Sequence, residues 1–135
     1  MYDPNNIFAR ILRGEIPAAK VYEDDQVLSF MDAMPQAEGH TLVIPKKEVD
    51  YLFDLDDESY QNLFAFSKKV AKAIKAAVPC ERIGVAVIGL EVPHAHIHLC
   101  PINGIHDLSF SNPRVKLTKE EFQAIAGSIR ENFRG

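Results

Sequence analysis

The chain has 135 residues, one domain's length, enough to bury roughly 65–70% of the surface its unfolded form exposes. With 47% hydrophobic and 25% charged residues, 7 Gly and 8 Pro, the composition excludes intrinsic disorder and collagen-like architecture. Fifteen basic against 19 acidic residues give a formal net charge of −4, so no overall positive field favours a nucleic-acid polymer as partner.

In chain order, Asn5 or Asn6 caps a short helix whose apolar residues Ile7, Phe8, Ile11 and Leu12 recur at helical spacing, and Arg13-Gly14 followed by Pro17 ends it. Val21-Tyr22 and Gln26 to Phe30, joined by Glu23-Asp24-Asp25, predict a hairpin; His40 to Pro45 is β-branched and apolar and predicts a further strand. A long helix begins near Asp56 or Asp57. Its apolar stripe is Tyr60, Leu63, Phe64, Val70, Ala71, Ile74 and Ala77, and Lys68, Lys69, Lys72 and Lys75 form a solvated face to which no function is assigned. After Pro79, Arg82 to Ile88 and His94 to Ile102 read as two strands separated by Gly89 to Pro93. Thr118-Lys-Glu-Glu121 has capping-box spacing, and Phe122, Ile125 and Ile129 supply the buried side of a C-terminal helix. No repeat or linker divides the chain, so residues 1–135 form one domain. Adjacent strands on short turns predict an α+β fold, an antiparallel sheet of about five strands with helices packed on it.

The longest apolar run, Ile83 to Leu90, is far short of the roughly 20 residues a membrane helix needs. The first six residues lack the basic and apolar segments of a secretory signal. A cytoplasmic protein without a membrane partner is expected, with Cys80 and Cys100 as free thiols.

Three of the five histidines lie in Pro93-His94-Ala95-His96-Ile97-His98-Leu99-Cys100-Pro101. In a strand, His94, His96 and His98 would project to one side and Ala95, Ile97 and Leu99 to the other, with successive imidazoles about 6.5–7 Å apart. Burying three such rings costs several kcal/mol unless each is hydrogen-bonded, so the row reads as a site that lines one substrate. His106, in a polar loop, reads as a surface residue. Cys100 shares the parity of the histidines but precedes Pro101 and is assigned to packing. Two chemistries suit the row: the rings hold a metal, with Glu91 or Cys100 as a further ligand, or one imidazole attacks phosphorus while its neighbours stabilise the phosphate. Spacing alone leaves both open.

The run His94-Ala-His96-Ile-His98-Leu-Cys resembles the signature of the histidine triad family. Asn6 to Pro17, Tyr22-Glu-Asp-Asp25, Phe30-Met-Asp32 and Gly39-His-Thr-Leu-Val-Ile-Pro-Lys-Lys47 resemble that family's N-terminal blocks in the same order, so the resemblance covers a core of residues 5–102. Residues 103–135 form an extension outside it. The resemblance implies a homodimeric enzyme of the nucleotide hydrolase or nucleotidyl transferase type, acting at the α-phosphate of adenine-nucleotide conjugates. A phosphoramidate, an aminoacyl-adenylate or a dinucleoside polyphosphate would be the substrate, and no cofactor is implied. His96 matches the family's nucleophile, His98 a residue that hydrogen-bonds the phosphate, and His94 the position whose backbone carbonyl orients the nucleophile. His40 matches a further active-site histidine, Asp32 the ribose-binding carboxylate, and Ile7, Phe8, Ile11 and Phe30 the apolar pocket around the base.

The sequence departs from the family pattern in two places. Many bacterial members carry a zinc site made partly by two cysteines and a histidine; the matching positions here hold Asn6, Ala9 and Glu48, which argues that this metal is absent. The family's asparagine and polar Gln-Ser or Gln-Thr pair before the triad are replaced by the shorter Val85 to Pro93 segment, with Glu91 where a small hydroxyl residue is expected. An ionised Glu91 repels a polyphosphate and favours an amine-bearing leaving group. The alternatives to a hydrolase are a nucleotide-binding module with little turnover and a metal-dependent hydrolase that uses the histidine row as ligands.

Overall fold

Residues 1–134 are described by a computed structural model. Asn6 accepts a hydrogen bond from the Ala9 N–H and so starts helix α1, Ile7–Leu12, which ends where Gly14 takes a φ of 77°. Strands β1 (Lys20–Glu23) and β2 (Val27–Met31) form the expected hairpin, its turn held by the Asp24 carboxylate, which accepts from the N–H groups of Gln26 and Val27. Strand β3 is Thr41–Pro45. Helix α2, Asp57–Ala77, is capped by Asp56; β4 (Arg82–Ala86) and β5 (Ile97–Ile102) follow, and α3, Lys119–Glu131, starts in the Thr118–Glu121 capping box. The strands form one antiparallel sheet in the order β1-β2-β3-β5-β4. The architecture is the α+β one the pattern predicts.

The register decides what each face carries. Val43 lies opposite Ile97, and Leu42 opposite His98. Val43, Ile97 and Leu99 therefore point to the face covered by α2 and α3, where they pack with Leu63, Phe66, Val70, Ile74, Ala126 and Ile129. Full burial of Leu63, Val70 and Ile74 contributes about 1.5–3 kcal/mol each. Leu28, Phe30, Leu42 and Ile44 occupy the opposite face beneath Phe8 and Ile11 of α1. His98 shares this second face, and the six-residue α1 is too short to cover all of it. The uncovered part is the candidate site.

Two boundaries differ from the sequence-based expectation. The strand expected from His94 begins at Ile97, and the one expected to run to Ile88 ends at Ala86. The His94 N–H donates to Val92 O in a tight turn and the Ala95 N–H donates to Val49 O, so these residues pair outside the β4–β5 ladder. In α2, Phe66 is buried although the expected stripe omitted it, and Tyr60, Phe64, Ala71 and Ala77 are only partly buried. Among the described residues, no helix is long and apolar enough to cross a membrane, and both cysteines are free.

Candidate active site

A cavity of about 850 Å³ opens on the α1 face of the sheet, within the size range of small-molecule sites. Ile7, Phe8, Ile11, Phe30 and Leu42 form its apolar end, while Asp32, Glu91, His96 and His98 bring polar groups to it. The structure thus gathers eight of the ten expected site residues around one space. His40 and His94 are completely buried behind it. The expectation that three imidazoles line one substrate is corrected accordingly, because His94 precedes β5 and its ring is held between other partners.

Those partners fix the tautomers. His94 Nε2 lies 2.8 Å from the Pro45 carbonyl oxygen, an acceptor, so Nε2 carries the proton and Nδ1 accepts from the Tyr2 hydroxyl at 2.5 Å. His96 Nδ1 is 2.6 Å from the His94 carbonyl oxygen. It must donate there, which leaves the Nε2 lone pair of His96 free. On the other side, the Gln36 N–H donates to His40 Nδ1 at 3.0 Å, which puts the His40 proton on Nε2, 3.0 Å from His98 Nδ1. His98 accepts that proton's hydrogen bond at Nδ1 and therefore carries its own N–H at Nε2. One ring is set as a nucleophile and its neighbour, with centroids 4.9 Å apart, as a donor.

Burial holds His40, His94 and His96 below the ordinary imidazole value of 6.5, and takes His98 down to about 3, with further lowering from His96 and His40 when those rings are protonated and from Arg114. The rings are neutral at pH 7, as an attacking lone pair requires. The Asp32 Oδ2 atom sits 3.5 Å from His40 Nε2 and 3.9 Å from His98 Nδ1, close enough to favour positive charge developing on the pair. Cys100 is buried, and desolvation pushes its thiol up to about 12, in keeping with packing and against use as a thiolate.

Asp32, His40 and His98 are the one grouping among the described residues whose ligand atoms lie close enough, within 4.8 Å, to suggest a cation. The donor set does not fit one. A metal on His40 Nε2 would require the proton on Nδ1, where the Gln36 N–H already points. The His94, His96 and His98 nitrogens do not converge, since both His94 nitrogens are engaged elsewhere. At the three positions where the resemblance implies zinc ligands, Asn6, Ala9 and Glu48, the Glu48 carboxylate is the one strong donor, so the residues do not fit that metal either. Asn6 spends its amide on the Ala9 N–H, the Tyr2 hydroxyl and Asp3 O, and Ala9 offers no side-chain donor atom.

Besides Leu42, the residues Phe110, Arg114 and Tyr2 belong to the site and lie outside the sequence-based set. The Phe110 ring meets His98 edge-on with centroids 4.8 Å apart, and Arg114 stacks on Phe110 at 5.4 Å; both line the cavity. Their segment is fastened by the Val115 N–H to Pro35 O and by the Ser109 N–H to Gln36 Oε1. The extension therefore closes one side of the site. Tyr2 reaches His94 across 92 positions. His106 is exposed, as expected.

Residues 13–104 match the HIT domain model. A crystal structure of a Hit-like protein from Bartonella henselae is 40% identical, covers 98% of this chain and 99% of its own, and superposes with a TM-score of 0.86. A Zn-bound histidine triad family protein from Mycobacterium smegmatis is 27% identical, with 95% and 92% covered and a TM-score of 0.81. The adenosine 5′-monophosphoramidase of Schizosaccharomyces pombe is 32% identical over 134 residues, 95% of this chain and 98% of that protein. The chain belongs to the HIT, or histidine triad, family.

Proposed function

We propose that the protein is a hydrolase of adenine-nucleotide conjugates in which His96 is the nucleophile. The observation that carries this reading is the His96 tautomer: Nδ1 is committed to the His94 carbonyl at 2.6 Å, so Nε2 presents a neutral lone pair beside the cavity. The base would pack in the apolar end between Phe8, Ile11 and Phe30, with Ile7 at its margin, and the Asp32 carboxylate would accept hydrogen bonds from the ribose hydroxyls. His96 Nε2 would attack the α-phosphorus, breaking its bond to the leaving group and forming a nucleotidyl-histidine. Water would then cleave that P–N bond and release the nucleoside monophosphate. The His98 N–H would donate to the phosphoryl oxygen as charge develops there, its orientation held by His40.

Glu91 lines the cavity, so a carboxylate there favours an amine-bearing leaving group over a polyphosphate. The similarity to a monophosphoramidase points the same way. A homodimer is the proposed assembly, because Val85 on edge strand β4 and the following Ile88 and Leu90 are exposed apolar residues. A cytoplasmic location agrees with the free thiols.

The test is AMP release from adenosine 5′-phosphoramidate by the wild type and by His96→Ala, with chelator in both. Turnover by the wild type alone supports the reading. Equal turnover by both, or turnover abolished by chelator, contradicts it. A wild type that binds AMP without turning over the conjugate would instead favour a binding module.

A further inference from the structure

The backbone that aims His96 is itself held from the N-terminal segment. The Asn6 Nδ2–H donates to the Tyr2 phenol oxygen at 2.9 Å, the Tyr2 O–H donates to His94 Nδ1 at 2.5 Å, and the His94 Nε2–H donates to Pro45 O at 2.8 Å. His94 then accepts the His96 Nδ1–H on its own carbonyl. The direction of every donation in this chain is forced, because Pro45 O can only accept and an amide nitrogen can only donate.

We propose that Tyr2 is a positioning residue for His96: by fastening Nδ1 of His94, whose Nε2 is already held by Pro45 O, it fixes the carbonyl that holds the nucleophile's tautomer. The Tyr2 side chain does not line the cavity, so it acts through His94 and touches no substrate. Its ring adds an edge contact to the His94 ring, with centroids 5.6 Å apart. Phe8 meets His94 and His96 edge-on as well, at 6.4 and 4.9 Å. Asn6 connects the two supports, since the same side chain caps the helix that carries Phe8.

The need for this clamp follows from the turn that carries His94. Residues 94–96 precede β5 and lack its ladder, and no strand pairing holds the His94 carbonyl in place. A ring pinned at one nitrogen can still swing about the remaining bond; one pinned at both, to Pro45 at the end of β3 and to Tyr2 on the N-terminal segment, cannot. Hydrogen bonds among Asn6, Tyr2 and His94 make this fastening, all of them between neutral groups.

The kinetic part of the test rests on the hydrolase reading above; the spectroscopic part does not. Tyr2→Phe removes the hydroxyl and keeps the ring. Imidazole ¹⁵N spectra at pH 7.5 and steady-state rates on adenosine 5′-phosphoramidate would be recorded for wild type and variant, with Tm as the control. The expected result is that the His96 nitrogens, a single Nδ1–H tautomer in the wild type, shift towards the average of two tautomers. In the same variant kcat falls about 10-fold while KM and Tm hardly change. The proposal is overturned if the His94 signals move while those of His96 stay fixed, or if kcat falls only in step with Tm. Should the wild type turn over no conjugate, the hydrolase reading fails, and the His96 signals still decide the role of Tyr2.

Discussion

On the β5 side of the cavity, His40, His94, His96 and His98 are each at most 6% exposed, and every ring is hydrogen-bonded within the protein. Across from them, Gly89 takes a φ of 77° and Leu90 is 88% exposed on the loop that carries Glu91. Under the proposed reading the contrast separates two tasks. Groups that would meet a reacting phosphorus at a set angle are anchored by buried bonds that need no rearrangement during reaction. The loop that would face the departing group has a solvent-exposed tip, the kind of segment that opens locally at low cost. On that reading, bond making and selection of the leaving group depend on different residues, and substitutions should separate them.

The strongest way to break this comparison is His96→Ala, which removes the attacking nitrogen and should lower kcat on adenosine 5′-phosphoramidate by at least about 10³-fold. Steady-state rates with a single-turnover control would check it. His40→Ala comes next. It deletes the donor to His98 Nδ1 and frees the His98 tautomer, so kcat should fall by about 10–100-fold. Urea unfolding should show a loss of about 2–4 kcal/mol as well, because the side chain is fully buried.

Acid should weaken the β5 side before the loop. Burial lowers the folded-state values of all four rings from 6.5, so the unfolded chain takes up protons first as pH falls. Stability is therefore complete above about pH 6.5 and declines below it towards each folded-state value, which for His98 is about 3. The slope is about 1.4 kcal/mol per pH unit for each such ring. Thermal unfolding followed from pH 7.5 to pH 4 would measure it. Glu91→Gln gives the smallest effect. It should reduce the preference for an amine-bearing leaving group over a polyphosphate by about 3–10-fold, read as a ratio of kcat/KM values, with Tm unchanged.

Local signals made most of this architecture legible. Asn6, Asp56 and Thr118 cap helices because each offers a short acceptor just before a one-sided apolar stripe, and all three caps form. The Ile97 and Leu99 alternation correctly assigned one face of β5 to the core. The same alternation extended too far for His94, since Pro93 and the turn at Val92 end the ladder before it. The His40 ring is fully buried although it sits next to the start of β3. Its ring meets Gln36, His98 and Asp32, and only the folded chain brings the last two to it. Phe110 and Arg114 lie in a polar loop, and their contacts with the site depend on single long-range bonds such as Val115 to Pro35. Tyr2 is separated from His94 by nearly the whole core, so only the folded chain brings the pair together.

The covalent step is the centre of this account, and intact-protein and peptide mass spectrometry would test it most directly. Wild-type protein would be mixed with adenosine 5′-phosphoramidate, quenched within one turnover and digested under conditions that spare a P–N bond. The account predicts one adenylyl group on the peptide that contains His94 to His98, assigned to His96 by fragmentation and missing in His96→Ala. An adduct on His98 or elsewhere would contradict it, as would rapid AMP release with no adduct at any quench time.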